Sequence, residues 1–485
     1  MKTCHILRFL FFSVLLPLSV SGAQPIRLHP QNPHYFEFRG RPIVLVASTE
    51  HYGSVLNADF DYKTYLDAIA RHGLNLTRIF MGNFCERRIQ RESNSSASPL
   101  SPRADRFLTP WARSSVEGYP GGGNKFDLDR WDPAYFERLT DFCREASRRG
   151  IVVEVVLFSA LYRTDYWRLS PLHAGSNING IGDLPMTEFH TLKHASLVAK
   201  QKEMTRKVVQ ELRDFDNVYF EICNEPYWAK GIPEVDPSIK EQNWPPDMME
   251  WQTMIGQTIV EAEAGQASRH LIAQNVANTY YKIEAADPSV SILNFHYAYP
   301  PKVVPDNYHL NRVIAFDETS NGCNAPDRRR EAWAFLMSGG AVYDNLDFSF
   351  TVDDPTGRGR TPKGRRQSCA EVRDQLGTLL RFVNRLDLAK VQPLDRGDIA
   401  ELPSQVKAFG LKRLPDEFVL YLVKEDFVEL KTVLVNLPKG RYSLEWIDPI
   451  DARVIAGGRL THSGGPAQLT PPPFGDDIAL AVRKR

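Results

Sequence analysis

The sequence predicts a (β/α)8 TIM barrel, an α/β fold, followed by a small antiparallel β-sandwich. Three observations carry this. Eight short apolar runs rich in β-branched residues recur between Ile43 and Leu346, and continuous runs of this kind fit strands buried on both faces of a parallel sheet. Helical patterns fill most of the intervals between them, which favours alternating β and α units. After about residue 395 the pattern changes to period-two alternation between turn clusters.

Taken in order, residues 1–23 read as a signal peptide. Lys2 and Arg8 give a positive start, Phe9 to Val20 is apolar, and Ser21-Gly22-Ala23 offers small residues for cleavage. The apolar run is too short for a comfortable membrane span, so a secreted or periplasmic protein is expected, with no membrane attachment after cleavage. "RLHPQNPHYFEFRGRP" (27–42) reads as a short hairpin closing the barrel floor. The eight strands follow: "IVLVAS" (43–48), "LTRIF" (76–80), "IVVEVVLF" (151–158), "VYFEI" (218–222), "HLIAQNV" (270–276), "SILNFHY" (291–297), "RVIAFDE" (312–318) and "GAVYDNL" (340–346). Within the fourth, Val218, Phe220 and Ile222 alternate inward.

Between strands three and two, "DPAYFERLTDFCREASRRG" (132–150) predicts a helix with Asp132 as N-cap and Pro133 at its first position. Its apolar stripe is Leu139, Phe142, Cys143 and Ala146, and Gly150 ends it. "ASLVAKQKEMTRKVVQELRD" (195–214) and "DMMEWQTMIGQTIVEAEA" (247–264) read the same way. The domains expected are therefore a catalytic barrel over 24–395 and an accessory sandwich over 396–485, built from "EFVLYLVKE", "LKTVLVNLPKGRYSLEWIDP" and "DDIALAVRK".

Composition narrows the function. The chain has 485 residues with 59 basic and 59 acidic side chains, so no long-range field draws it to nucleic acid or an anionic membrane. No Gly-rich dinucleotide turn follows the first strand, which argues against an open doubly wound sheet, and "GGG" (121–123), which precedes no Gly-Lys-Ser/Thr, reads as a loop. His51 stands alone on strand one and no His-x-His occurs, so a metal-dependent barrel hydrolase is not favoured. Five cysteines outside the leader do not make a disulfide framework. Cys143 and Cys223 read as core thiols, and a bridge among Cys85, Cys323 and Cys369 stays open as to pairing. The loop from about 82 to 130 is expected to shape a cleft, and "GRGRTPKGRR" (357–366) reads as a solvated loop.

Barrel active sites lie at the C-terminal ends of the strands, so the polar residues ending each run are the candidates. These are Glu50 and His51 on strand one, Arg78 on two, Asn224 and Glu225 on four, His296 and Tyr297 on six, Asp317 and Glu318 on seven, and Asp344 and Asn345 on eight. Glu225 and Glu318 end strands on opposite sides of the ring. Glycosidic cleavage uses such a pair, one acid to protonate the leaving oxygen and one carboxylate to attack or to activate water. A separation of roughly 5 Å indicates retention through a covalent intermediate. Arg78 is placed to keep one glutamate ionised, and burial without a cation keeps the other protonated. Trp228, with Trp111, Trp167 and Tyr299, is a candidate to stack on a sugar ring.

Asn224-Glu225-Pro226 after strand four and Glu318 ending strand seven resemble the clan A retaining glycoside hydrolases, in particular family 5-like, cellulase-type enzymes. The resemblance covers residues 27–390 or so. It implies that Glu225 is the acid/base, Glu318 the nucleophile, Asn224 the amide that binds the sugar 2-hydroxyl, and Arg78 the arginine supporting the nucleophile. It also implies a β-linked poly- or oligosaccharide substrate and no cofactor; with the leader, the expectation is a secreted, monomeric enzyme. "LPKGRYSLEWIDP" and "PPPFGDDIALAV" resemble the β-sandwich, sometimes called collagen-binding-like, appended to bacterial members. Three positions depart from the pattern. Strand three ends Leu157-Phe158-Ser159 without histidine, strand eight "AVYDNLDFSF" lacks a tryptophan, and His296-Tyr297-Ala298-Tyr299 leaves open which tyrosine serves the nucleophile. The alternative reading is a non-catalytic polysaccharide-binding protein on a relic barrel.

Overall fold

The computed structural model describes residues 24–86, 98–226, 246–320, 322–359, 368–424 and 428–485. The leader at 1–23, Trp228 and most of the basic run at 357–366 lie outside the described residues.

Eight parallel strands form the centre: β1 Leu45–Thr49, β2 Leu76–Phe80, β3 Val152–Ser159, β4 Val218–Asn224, β5 Ile272–Asn278, β6 Ile292–His296, β7 Val313–Glu318 and β8 Val342–Leu346. Their neighbour order is β1-β8-β7-β6-β5-β4-β3-β2, one circuit of a barrel. Asn75 completes the circuit between β1 and β2. Its N–H donates to Val46 O at 3.2 Å, its side-chain oxygen accepts from Val46 N at 2.8 Å, and its amide donates to Val44 O at 2.8 Å. An asparagine suits this place because it adds a side-chain donor and acceptor to the backbone pair. This is the fold class that the apolar runs predict.

The helices are α1 Tyr62–Arg71, α2 Pro133–Arg148, α3 Thr164–Leu169, α4 Ala195–Leu212, α5 Pro246–Ala262, α6 Val303–Asn307, α7 Ala325–Met337 and α8 Ala370–Val383. Asp132 caps α2 by accepting from Ala134 N at 3.0 Å, with Pro133 in the first turn, as its sequence predicts. No helix among the described residues is long and apolar enough to cross a membrane.

Beneath the barrel, Arg27–His29, Asn32–Phe38 and Arg41–Ile43 form a three-stranded antiparallel sheet. Ile26 N donates to Asp216 O at 2.8 Å and Arg39 pairs with the Asp216 carboxylate at 2.7 Å, just ahead of β4. The expected floor is therefore in place. The insertion between β2 and β3 contains an antiparallel hairpin that the sequence does not announce, Trp111–Glu117 with Asn124–Trp131. Its turn is the "GGG" run, where Gly122 and Gly123 take φ of +101° and +83°, a region open to glycine because it lacks a Cβ.

The sequence expectation about β4 needs correcting. Both faces of a barrel strand are buried, so alternation separates two faces without saying which is the lumen. Ile222 packs toward Gly256 of α5, and the Phe220 ring lies 5.4 Å from that of His270. Val218, Phe220 and Ile222 thus face the helix layer, and Glu221 faces inside.

The C-terminal domain is a sandwich. A six-stranded antiparallel sheet begins at Gln392, slightly ahead of the expected boundary, and a three-stranded sheet of Ile399–Glu401, Val433–Leu437 and Gly465–Leu469 covers it. Along Glu417–Lys424 the side chains divide between two cores. Phe418, Leu420 and Leu422 fill the sandwich, while Val419, Tyr421 and Val423 join the barrel core. The open question of the disulfide resolves to Cys323–Cys369, and Cys85, Cys143 and Cys223 are buried.

Candidate active site

Glu318 ends β7 inside a ring of cations. Arg78, fully buried in the middle of β2, donates through Nη1 to Glu318 Oε2 at 3.0 Å. His51 Nδ1 lies 3.6 Å from the same oxygen, and its Nε2 lies 3.1 Å from Asp344 Oδ2. On the other side, His296 Nδ1 is 3.8 Å from Glu318 Oε1, and the Tyr297 hydroxyl donates to that oxygen at 3.3 Å. Tyr297 is therefore the tyrosine that serves this carboxylate. Burial alone would raise the Glu318 carboxyl, but the charges of His296, His51 and Arg78 outweigh it and hold the group well below the usual carboxylate range. Burial likewise pulls His51 down, yet Asp344 and Glu318 lift it to about 10; His296 reaches about 9 through Glu318, Asp317 and Glu225.

Glu225 follows β4 on the opposite wall. Its backbone N–H donates to Asn275 Oδ1 at 3.2 Å. One carboxylate oxygen, Oε1, lies 3.0 Å from His296 Nδ1, and the other accepts from the Tyr162 hydroxyl at 2.7 Å. Asn224 beside it accepts from Arg78 Nη2 at 2.8 Å and donates to the Tyr162 hydroxyl at 2.7 Å. An oxygen of Glu225 and one of Glu318 lie within 4.8 Å of each other, with His296 between them. Three residues of this site hold left-handed backbones despite carrying a Cβ: Tyr162 (φ +48°), Glu225 (φ +45°) and Tyr297 (φ +53°). Such conformations cost about 1–3 kcal/mol each and cluster where side chains must be aimed for function.

Below the mouth the barrel interior is charged. Arg78 donates to Glu221 Oε2 through Nε at 3.1 Å and Nη2 at 2.5 Å, and lies 3.5 Å from Asp317 and 3.8 Å from Glu154. Asn294 bridges Glu154 and Asp317, donating to each at 2.8 Å. Burial raises these carboxyls, to about 7 for Glu154 and Glu221 and about 6 for Asp317, against the opposing pull of Arg78. Among the described residues three clusters have metal-ligand spacing: Glu154-Glu221-Asp317, Glu225-His296-Glu318, and Cys323-Asp347-Cys369, whose cysteines form the disulfide. The first already surrounds a guanidinium, and the carboxylates of the second already accept from Tyr162, Arg78 and Tyr297.

Seven of the predicted residues meet at one mouth: Glu225, Glu318, Asn224, Arg78, His296, Tyr297 and His51. Three others are near but committed elsewhere. Asp344 is buried against His51 and the Thr49 hydroxyl (2.6 Å), and Asn345 bonds Ser48 and Thr319 at 2.9 and 2.8 Å. Glu50 accepts from Tyr52 N, Gly53 N and the Ser98 hydroxyl at 3.0, 2.8 and 2.8 Å, so it anchors a loop and offers little to a ligand. Trp111 stacks on Trp131, and Trp167 is buried against Phe189, which makes both packing residues of the upper loops. Tyr162, Asn275, Glu154 and Glu221 escaped the sequence reading. A signal existed for two of them: a charged residue inside an apolar run, as in "VVEVV" and "VYFEI", must be buried and paired.

No protein-family model and no curated protein matches the sequence. Solved structures do match. A chain described as a glycoside hydrolase aligns over 95% of this chain and 97% of its own, at 12% identity and a TM-score of 0.59. A glycoside hydrolase family 5 protein from Bacteroides vulgatus aligns over 95% and 93%, at 11% identity and a TM-score of 0.60. The likeness spans barrel and sandwich together. At these identities it is a likeness of fold.

Proposed function

We propose that this chain is a glycoside hydrolase, exported by its leader, that cleaves a β-linked poly- or oligosaccharide with retention of configuration. One observation carries the proposal. Two carboxylates on opposite walls of the barrel mouth approach within 4.8 Å; both meet His296, so Glu225 is not free of a cation as the sequence suggests, but Arg78 and His51 face Glu318 in addition. The distance favours direct attack over an intervening water, because inverting pairs stand roughly 6.5–9.5 Å apart. Glu318, held ionised by His296, His51 and Arg78, is the nucleophile. Its oxygen bonds to the anomeric carbon as the glycosidic C–O bond breaks, and Glu225 gives its proton to the departing oxygen. In the second step Glu225 takes a proton from water, whose oxygen displaces Glu318. The two carboxylates supply both chemical roles, and a single chain acting as a monomer is sufficient.

The fold matches support this reading, since the barrel and the appended sandwich both occur in chains described as glycoside hydrolases. The test is a panel of aryl β-glycosides and β-glucans, mannans, xylans and galactans, with product lengths recorded. Glu225→Gln and Glu318→Gln should each lower turnover of an accepted aryl glycoside by at least about a hundredfold without unfolding the protein. Azide should rescue Glu318→Ala as the inverted glycosyl azide, and Glu225→Ala as the retained one. Full activity in either glutamine variant would remove the assignment.

A further inference from the structure

We propose that Tyr162 is a positioning residue that holds the Glu225 acid/base and couples it to the arginine of the nucleophile; the inference rests on the glycosidase reading above. Four hydrogen bonds run without a break between the two glutamates. Arg78 Nη1 donates to Glu318 at 3.0 Å and its Nη2 donates to Asn224 Oδ1 at 2.8 Å. Asn224 Nδ2 then donates to the Tyr162 hydroxyl, and that hydroxyl donates to Glu225 Oε2, both at 2.7 Å.

The direction of this chain is forced by donor accounting. A guanidinium can only donate, so the atom of Asn224 facing Arg78 is the carbonyl oxygen. The amide nitrogen must then face Tyr162. A phenol that accepts there has one proton left to give, and Glu225 is where it points. The backbone agrees. Tyr162 sits in the loop after β3 at φ +48°, which a residue with a Cβ seldom adopts, and this conformation turns the ring across the mouth toward β4. The ring is seated edge-on against Phe84 at 6.0 Å.

The consequence is chemical. A hydrogen bond to an ionised carboxylate is stronger than one to its neutral form. The Tyr162 hydrogen bond therefore gains strength as Glu225 loses its proton to the leaving group, and it holds Oε2 in place through the transfer. The hydroxyl acts through Glu225, so its effect appears in the timing and aim of proton transfer.

Tyr162→Phe retains the ring against Phe84 and removes the donor. With an accepted aryl glycoside, the alkaline limb of the kcat/KM profile should move up by about one pH unit while the acidic limb stays in place. The loss should reach about tenfold or more for phenyl leaving groups and nearly vanish for dinitrophenyl, whose departure needs no proton. Incorporating 3-fluorotyrosine at 162, a stronger donor of nearly the same shape, should move the alkaline limb the opposite way and guards against a folding defect in the phenylalanine variant. A carbon-13 titration of the Glu225 carboxyl, assigned with Glu225→Gln, reads the same effect without substrate. An unmoved Glu225 titration in Tyr162→Phe overturns the inference even where activity exists. A chain that hydrolyses nothing on the panel refutes the glycosidase reading instead, and a shifted titration would still support the Tyr162 contact.

Discussion

His51 and His296 flank the Glu318 carboxylate, and each has a second acid behind it. Asp344 lies 3.1 Å from His51 Nε2, and Asp317 lies 3.7 Å from His296 Nε2. This arrangement keeps both imidazoles protonated in the folded chain, at about 10 and about 9, against an ordinary value of 6.5. A group that binds its proton more tightly when folded stabilises the fold fully below its unfolded value, and that stability is lost as pH rises through the folded value. The urea midpoint should therefore fall between about pH 7 and pH 10. Glu154, Glu221 and Asp317 act with the same sign at lower pH, because their raised carboxyls ionise against burial up to about 7. Replacing both histidines with glutamine should flatten the alkaline fall. A midpoint that stays level to pH 10 in the unaltered protein would contradict this charge assignment.

At the scale of elements, segments shaped by their own periodicity are legible in the sequence. The β2 run "LTRIF" coincides with Leu76–Phe80, and "DPAYFERLTDFCREASRRG" contains α2 with its cap, because these patterns follow from each segment's own burial periodicity. The glutamates were legible because a strand that stops at Asn224-Glu225-Pro226 must deliver them to the open end. Which face of β4 is the lumen was not legible, nor was the hairpin of Trp111–Glu117 with Asn124–Trp131, whose strands are half exposed and carry only weak alternation. One element-scale device has a clear stability consequence. The loop after Glu318 leads through Cys323 into α7, and the bridge to Cys369 ties that loop to the start of α8 across 46 residues. Closing a loop of this length is worth about 4 kcal/mol by chain entropy. Chemical denaturation of Cys323→Ser with Cys369→Ser should show a loss of about 3–4 kcal/mol. A loss under about 1 kcal/mol would mean that α7 is held by packing alone.

At the scale of the molecule, barrel and sandwich share one buried joint. Arg329 of α7 pairs with both oxygens of Asp477 at 2.8 and 2.9 Å, the Tyr421 hydroxyl donates to Asp477 at 2.7 Å, and Trp333 stacks on Tyr421 at 5.3 Å. Breaking a buried pair from one side leaves an uncompensated charge and costs about 3–5 kcal/mol. Asp477→Ala should lower stability by that amount, and scanning calorimetry of the unaltered chain should show one cooperative transition for both domains. Two separated transitions would show that the sandwich folds independently of the barrel. The sequence by itself determined the alternating β/α order, the sandwich after it, and the two glutamates at strand ends, because each depends on periodicity or on a residue's place within its own segment. Only the tertiary structure decided that Tyr162 meets Glu225, that His51 is shared by Asp344 and Glu318, that Cys323 bonds Cys369, and that Glu221 lies inside with Arg78. Those contacts join segments from 46 to 293 residues apart, and their partners are chosen by how the strands close into a ring.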